Sequence, residues 1–219
     1  MALLVSGLPA AAEGCRLALS LALDVSSSVN AAEYALQSEG LARALEAPEV
    51  QAAFLSVPGQ SVALHIYEWS GRAQQAVWQD WVDIRSAADL RAVAARLRGL
   101  PRSEAEFPTA LGFALGFGAT ALAARGDCDM HTLDVAGDGT NNDGFSPDLA
   151  IKAFPMATLV VNGLVLGDET TVLRAYFERS VIHGPGAFVE AATAYSDFEA
   201  AMRRKLVREV GAGVFSLRQ

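Results

Sequence analysis

The sequence predicts a three-layer α/β sandwich, with a six-stranded, mostly parallel sheet between two helical layers. Three observations carry that prediction. Strand-like and helix-like patterns alternate along the 219 residues, as they do when βα units wind round a parallel sheet. The first strand, Leu17–Leu23, is almost uninterrupted apolar sequence, the pattern of a strand covered on both faces. One connection, Ser70–Gln75, is of hairpin length, which sets an antiparallel strand at the sheet edge.

Each element follows from local signals in the sequence. Asn30 with Glu33 forms a capping box that opens a helix to about Leu45. Val62–Trp69 is the second strand, and Ala76–Val82, rich in Trp and Val, the third. Ser86 with Asp89 starts a helix to about Arg98. Gly99–Pro108 is a loop, and Thr109–Ala124 is an apolar helix relieved by glycines. Thr132–Ala136 is the fourth strand. Ser146 supplies an N-cap with Pro147 at the first helical position, and that helix stops before Pro155. Ala157–Val165 is a buried strand, Asp168 to about Arg179 a helix, and Ala187–Ala191 the last strand. Ser196 with Glu199 caps a terminal helix to Gly211. The expected strand order is 3-2-1-4-5-6, a Rossmann-like arrangement with the first strand in the middle. No repeat, low-complexity tract or linker divides the chain.

Composition narrows the function. Hydrophobic residues make up 52% of the chain, enough for a sizeable core. The formal net charge of −8 argues against nucleic acid as a partner, because nothing here neutralises a run of phosphates. The densest basic cluster, Arg203-Arg204-Lys205, reads as a solvated helix face. No segment approaches the ~18 uninterrupted apolar residues of a membrane span, so no transmembrane segment is expected. Residues 1–14 read as a flexible terminus or the remnant of a secretory signal. They hold apolar residues, a Gly/Pro break and Ala10-Ala11-Ala12, without a basic n-region.

The chemistry is concentrated in three segments. Asp24-Val25-Ser26-Ser27-Ser28 closes the first strand with a carboxylate and two hydroxyls at alternate positions. All three are hard oxygen donors of the kind Mg²⁺, Ca²⁺ or Mn²⁺ prefers. In a doubly wound sheet, ligands bind beyond the carboxyl ends of the strands. Asp138 follows the fourth strand and Thr109 opens the glycine-rich helix, so both return oxygens to the same place. Asp138–Gly144 does not fit an EF-hand, since Asp143 stands where that loop needs glycine and Leu149 where it needs Glu. His65, His131 and His183 show no metal-ligand spacing. Asp134 is a carboxylate inside an apolar strand; it needs a partner or a shifted pKa, and an Arg is the expected partner.

The ordered set Asp24, Ser26, Ser28, Thr109 and Asp138-Gly139 resembles the metal-ion-dependent adhesion site (MIDAS) of von Willebrand factor type A domains. Further segments extend the likeness over most of the chain: Phe107–Leu115, Asp134–Gly144 with Asn141 and Asn142, Val161–Leu164 and Gly184–Phe188. Together they look like an exported bacterial branch of that class, domain-of-unknown-function family 1194. The resemblance implies a domain over residues 15–219 and one divalent cation, Mg²⁺ first, with Ca²⁺ or Mn²⁺ as alternatives. Ser26 and Ser28 would bind it directly, while Thr109, Asp24 and Asp138 exchange between direct and water-mediated contact. An open coordination position would then accept a Glu or Asp from a protein partner. Pro108 departs from the family pattern, where Gly often precedes the Thr, and stiffens this loop.

The expected function is therefore metal-dependent protein binding, not catalysis. Two alternatives stand beside it: a Mg²⁺-dependent hydrolase or phosphoryl-transfer enzyme on a similar sheet, and a structural metal-binding protein. The enzyme reading lacks its parts. Ser26 stands where aspartyl-phosphate chemistry needs a second Asp, and neither a G-x-S-x-G elbow nor a Walker-type loop is present. Finally, Cys15 lies nine residues before Asp24 and Cys128 ten before Asp138. If the two aspartates top adjacent parallel strands, the cysteines meet at the opposite edge and form a disulfide. Such a bond favours an exported location, periplasmic or secreted.

Overall fold

In the computed structural model, which describes residues 14–103, 106–167 and 170–216, β1 (Gly14–Asp24) is the central strand and is buried along nearly its whole length. It pairs in parallel with β2 (Gln60–Trp69) on one side and β4 (His131–Gly137) on the other. An antiparallel β3 (Gln75–Ile84) follows β2 through the short hairpin. With β5 (Leu159–Leu166) and β6 (Val189–Ala192), the order is β3-β2-β1-β4-β5-β6, as the sequence predicts.

Side chains of β1 divide between two layers. Leu17, Leu19, Leu21 and Leu23 join the core beneath α1 (Ala31–Glu46), α2 (Pro48–Phe54), α3 (Ala87–Arg98) and the last helix. Ala18 and Ala22 face the other core, under α4 (Leu111–Ala123), α5 (Pro147–Ala153) and α6 (Thr170–Ser180). The small residues let α4 lie close to the sheet. At Gly118 a Cβ would sit 2.5 Å from Leu133 and 2.7 Å from the Tyr67 hydroxyl, so this close approach requires glycine.

The capping boxes at Asn30/Glu33 and Ser86/Asp89 are both formed, and Ser146 caps α5 with Pro147 in its first turn. One helix went unread, and three expectations need correction. The short α2 has no side-chain cap bond and buries only Val50 and Phe54, too weak a pattern to read. β5 starts at Leu159, because Ala157 and Thr158 form a turn before it, with Leu159 N donating to Met156 O. The terminal helix, α7 (Phe198–Ser216), follows a 3₁₀ turn at Tyr195–Asp197 instead of starting at Ser196. Lys205 is not on a solvated face but is fully buried. Residues 1–13 and Asp168, where a terminal signal and a helix start were expected, lie outside the described residues.

Lys205 is also the partner of Asp134, in place of the expected Arg. Its Nζ lies 3.0 Å from Asp134 Oδ1, an ion-pair contact outside hydrogen-bond angles, and donates to Glu209 Oε1 at 2.7 Å. Asn162 on β5 donates to the same Glu209 oxygen at 2.8 Å. Burial, then the Glu209 charge, holds the Asp134 carboxyl well above the usual range despite Lys205. Burial alone would lower the Lys205 pKa; Asp134 and Glu209 outweigh it and raise it.

At the amino end of the sheet Cys15 and Cys128 form the expected disulfide, with Cα atoms 4.5 Å apart and the two residues 113 positions apart in sequence. Next to it, Arg16 interrupts the β1–β2 register. Its guanidinium turns inward and donates to the carbonyls of Val210, Ala53 and Phe54 at 2.7, 2.9 and 3.2 Å. No helix among the described residues is long and apolar enough to cross a membrane.

Candidate metal centre

All five expected site residues meet over the carboxyl ends of β1 and β4. Asp24 is the last residue of β1, and Asp138 directly follows β4. The loop after β1 turns sharply, with Asp24 Oδ1 accepting from Ser26 N at 2.8 Å. Its hydroxyls then line up. Thr109 Oγ1 donates to Ser26 Oγ at 3.2 Å, Ser26 and Ser28 hydroxyls are 3.2 Å apart, and Ser28 Oγ donates to Asp138 Oδ1 at 2.7 Å. Asp24, Ser26 and Thr109 are buried, Ser28 is exposed and Asp138 is half-buried, so the cluster opens outward at one end only.

Backbone bonds hold the three loops in place. Ser27 N donates to Phe107 O and Ala110 N to Ser70 O. Asn142 receives Thr109 N on its side-chain oxygen at 2.8 Å, while its own N–H reaches Thr109 O at 3.0 Å. Asn141 Oδ1 accepts from Gly112 N at 3.2 Å, at the start of α4. Gly137 permits the close approach of β4: a Cβ there would lie 3.2 Å from Asp24 Oδ2.

Two supporting residues carried no sequence signal. Arg102 reaches under the first loop and donates to the carbonyls of Val25 at 3.2 Å, Ser26 at 3.5 Å and Val29. Tyr195, from the turn before α7, donates its hydroxyl to Asp138 Oδ2 at 3.1 Å. Both are remote in sequence from the residues they position, so only the tertiary fold brings them in. The histidines stand apart: His65 bonds Ser20 within the sheet, His131 bonds the Arg125 carbonyl, and His183 pairs with Val161.

The donor set fits a hard divalent cation. Asp24 Oδ2 is buried with no hydrogen-bond partner in the protein, as is Ser70 Oγ on the adjoining strand end. Orphaned buried polar atoms are rare in folded proteins and mark strain, function, or an ion or water. Burial, then the negative charge of Asp138, pushes the Asp24 carboxyl up to about 7, against the lowering effect of the Ser26 bonds.

That shift has a measurable consequence in cation-free protein. A carboxyl whose folded-state pKa exceeds its unfolded value binds its proton preferentially in the fold. The Asp24 contribution is therefore most favourable at low pH and is lost as pH rises from about 4 through about 7. Between pH 5 and pH 8 the loss should be about 2–3 kcal/mol. Thermal unfolding in chelator should show a lower Tm at pH 8, and D24N should remove that part of the slope. An identical pH dependence in D24N would refute it.

A sheet of this order, carrying oxygen side chains from three loops above its central strands, has the von Willebrand factor type A fold. The chain belongs to the family described as protein of unknown function DUF1194, whose model matches residues 14–214. No curated protein matches the sequence. Solved structures with this fold include proximal thread matrix protein 1 from the mussel byssus, at 13% identity and a TM-score of 0.64, covering 93% of this chain and 49% of that one. The same protein has been solved with a zinc-occupied MIDAS motif, at 12% identity and a TM-score of 0.59 over 91% and 49%. The pilus adhesin SpaC from Lactobacillus rhamnosus GG gives 13% identity and a TM-score of 0.63 over 90% and 31%. The von Willebrand factor type A protein from Catenulispora acidiphila gives 15% and 0.57 over 91% and 43%. The chain thus spans less than half the length of each of these.

Proposed function

We propose that the chain is a metal-dependent protein-binding module that docks an acidic group of a partner, and not an enzyme. The observation that carries this reading is the convergence of Asp24, Ser26, Ser28, Thr109 and Asp138 around a buried, unpartnered Asp24 oxygen. These five residues would hold one divalent cation, Mg²⁺ in the cell, with Ca²⁺ or Mn²⁺ as alternatives. When bound, the cation supplies a coordination position for a carboxylate oxygen from outside. Three neutral hydroxyls leave much of its charge uncompensated, which favours an anionic ligand. Asp24 and Asp138 repel one another, and a cation between them would relieve that repulsion. The adhesin and matrix protein that share the fold, one with zinc in its MIDAS motif, support the reading. An exported location, periplasmic or secreted, belongs to it and is supported by the Cys15–Cys128 bond, since lasting disulfides are rare in the cytosol.

Calorimetric titration of the metal-stripped protein with MgCl₂ tests it. Wild type should show one site, D24A none, and S26A a site weakened by tenfold or more, all three unfolding cooperatively. Equal binding by wild type and D24A would overturn the assignment.

A further inference from the structure

Directly beside Asp138 lies a groove of about 650 Å³, within the size range of small-ligand sites. It occupies the β4–β6 half of the carboxyl edge and is walled by Leu36 of α1, Leu166 of β5, Val172 and Leu173 of α6, and Tyr195. Four large apolar side chains are exposed among the described residues: Leu36 at 46%, Val77 at 45%, Leu149 at 54% and Val172 at 67%. Two of the four border this one concavity. Apolar groups gathered at a polar-rimmed depression mark binding surfaces more often than scattered ones do.

Charge narrows the occupant. The described lining holds two carboxylates, Glu33 and Asp138, and no Lys or Arg. Glu33 already accepts from Asn30 N at 2.8 Å, and Asp138 accepts from Ser28 and Tyr195. A second acidic side chain would be repelled; Asp138 is hydrogen-bonded at both oxygens and Glu33 at Oε2 alone, and Leu36 and Val172 are the exposed apolar walls. On the β2 side of the centre, the Arg72–Asp143 ion pair takes up the rim, 2.6 Å apart at its closest. An apolar group on the groove side has the best complement.

We propose that this groove is the specificity pocket of the docking site, receiving an aliphatic side chain within one or two residues of the partner's acidic residue. The inference rests on the metal-dependent docking reading and adds the chemistry of the recognised sequence: acidic, then aliphatic.

Nuclear magnetic resonance titrations with three blocked dipeptides, acetyl-Glu-Leu-amide, acetyl-Glu-Ser-amide and acetyl-Glu-Arg-amide, in MgCl₂ and in EDTA, test it. The Leu probe should bind about tenfold more tightly than the Ser probe, shift the amides of residues 166, 172 and 195, and lose its binding in EDTA. The variant Leu36→Ser/Val172→Ser, altered only at exposed positions, should bind Mg²⁺ and the Ser probe as wild type does and lose the preference for Leu. Equal affinity for Leu and Ser, tighter binding of the Arg probe, or a preference that survives the double variant would overturn the groove assignment. Absence of binding by every probe to protein shown calorimetrically to hold Mg²⁺ would overturn the docking reading itself, and the groove assignment with it.

Discussion

Replacing both cysteines, as C15A/C128A, should lower stability by about 4–5 kcal/mol while leaving the fold recognisable. The bond closes a loop across 113 positions, and the chain-entropy model gives about 4.7 kcal/mol for a loop of a hundred residues. Both cysteines are nearly buried and pack in the core under α4. The polypeptide around them is already paired, with Asp129 N donating to Cys15 O at 2.9 Å, so the native state should survive the loss. Urea unfolding at 25 °C should show a lower midpoint with an increased slope, because the unfolded chain expands once it is uncrosslinked. A change below 1 kcal/mol would mean that the unfolded state is not restrained by the bond.

The second large effect is expected at Lys205. K205M removes the only cation within ion-pair distance of Asp134 and Glu209 among the described residues. Breaking a buried ion pair from one side typically costs about 3–5 kcal/mol, and a loss in that range is expected. The effect should depend on pH in a defined direction. Asp134 already has a raised pKa, and without Lys205 it rises further, so the variant retains most stability where that carboxyl is protonated. Its deficit should therefore be smaller at pH 5 than at pH 8. The triple variant D134L/K205M/E209M, which replaces the whole cluster with apolar groups, should recover most of the loss, as buried ion clusters elsewhere do. A K205M deficit equal at both pH values would show that lost packing, not unpaired charge, is responsible.

What the sequence disclosed and what it hid divide along a physical line. β1 and the residues at its end were readable because a doubly covered strand must be apolar throughout, so its last residue, Asp24, marks where the chain leaves the sheet. The loops of the candidate site and the disulfide followed from the same register, since equal offsets along neighbouring parallel strands bring residues together at either edge. Arg102 and Tyr195 were not readable, because each acts on a loop that only tertiary packing brings near. Lys205 is a different case. It looked like part of a basic surface run, yet α7 buries Ala201, Met202, Lys205, Leu206, Glu209 and Val210. That is a helical repeat in which Lys205 and Glu209 hold core positions. The signal was present in the spacing, and the three consecutive basic residues masked it.

The way β4 is tied to its surroundings bears on mechanical load. Tension applied ahead of Gly14 enters β1, but the Cys15–Cys128 bond passes it covalently to the segment leading into β4. Tension drawn from beyond α7 reaches the same strand, since Lys205 grips Asp134, while Arg16 also fastens the start of β1 to Val210. Pulling on either side therefore converges on the strand whose far end presents Asp138. The load is thus taken at the amino edge and the middle of β4, while the proposed docking face lies at the opposite edge of the sheet.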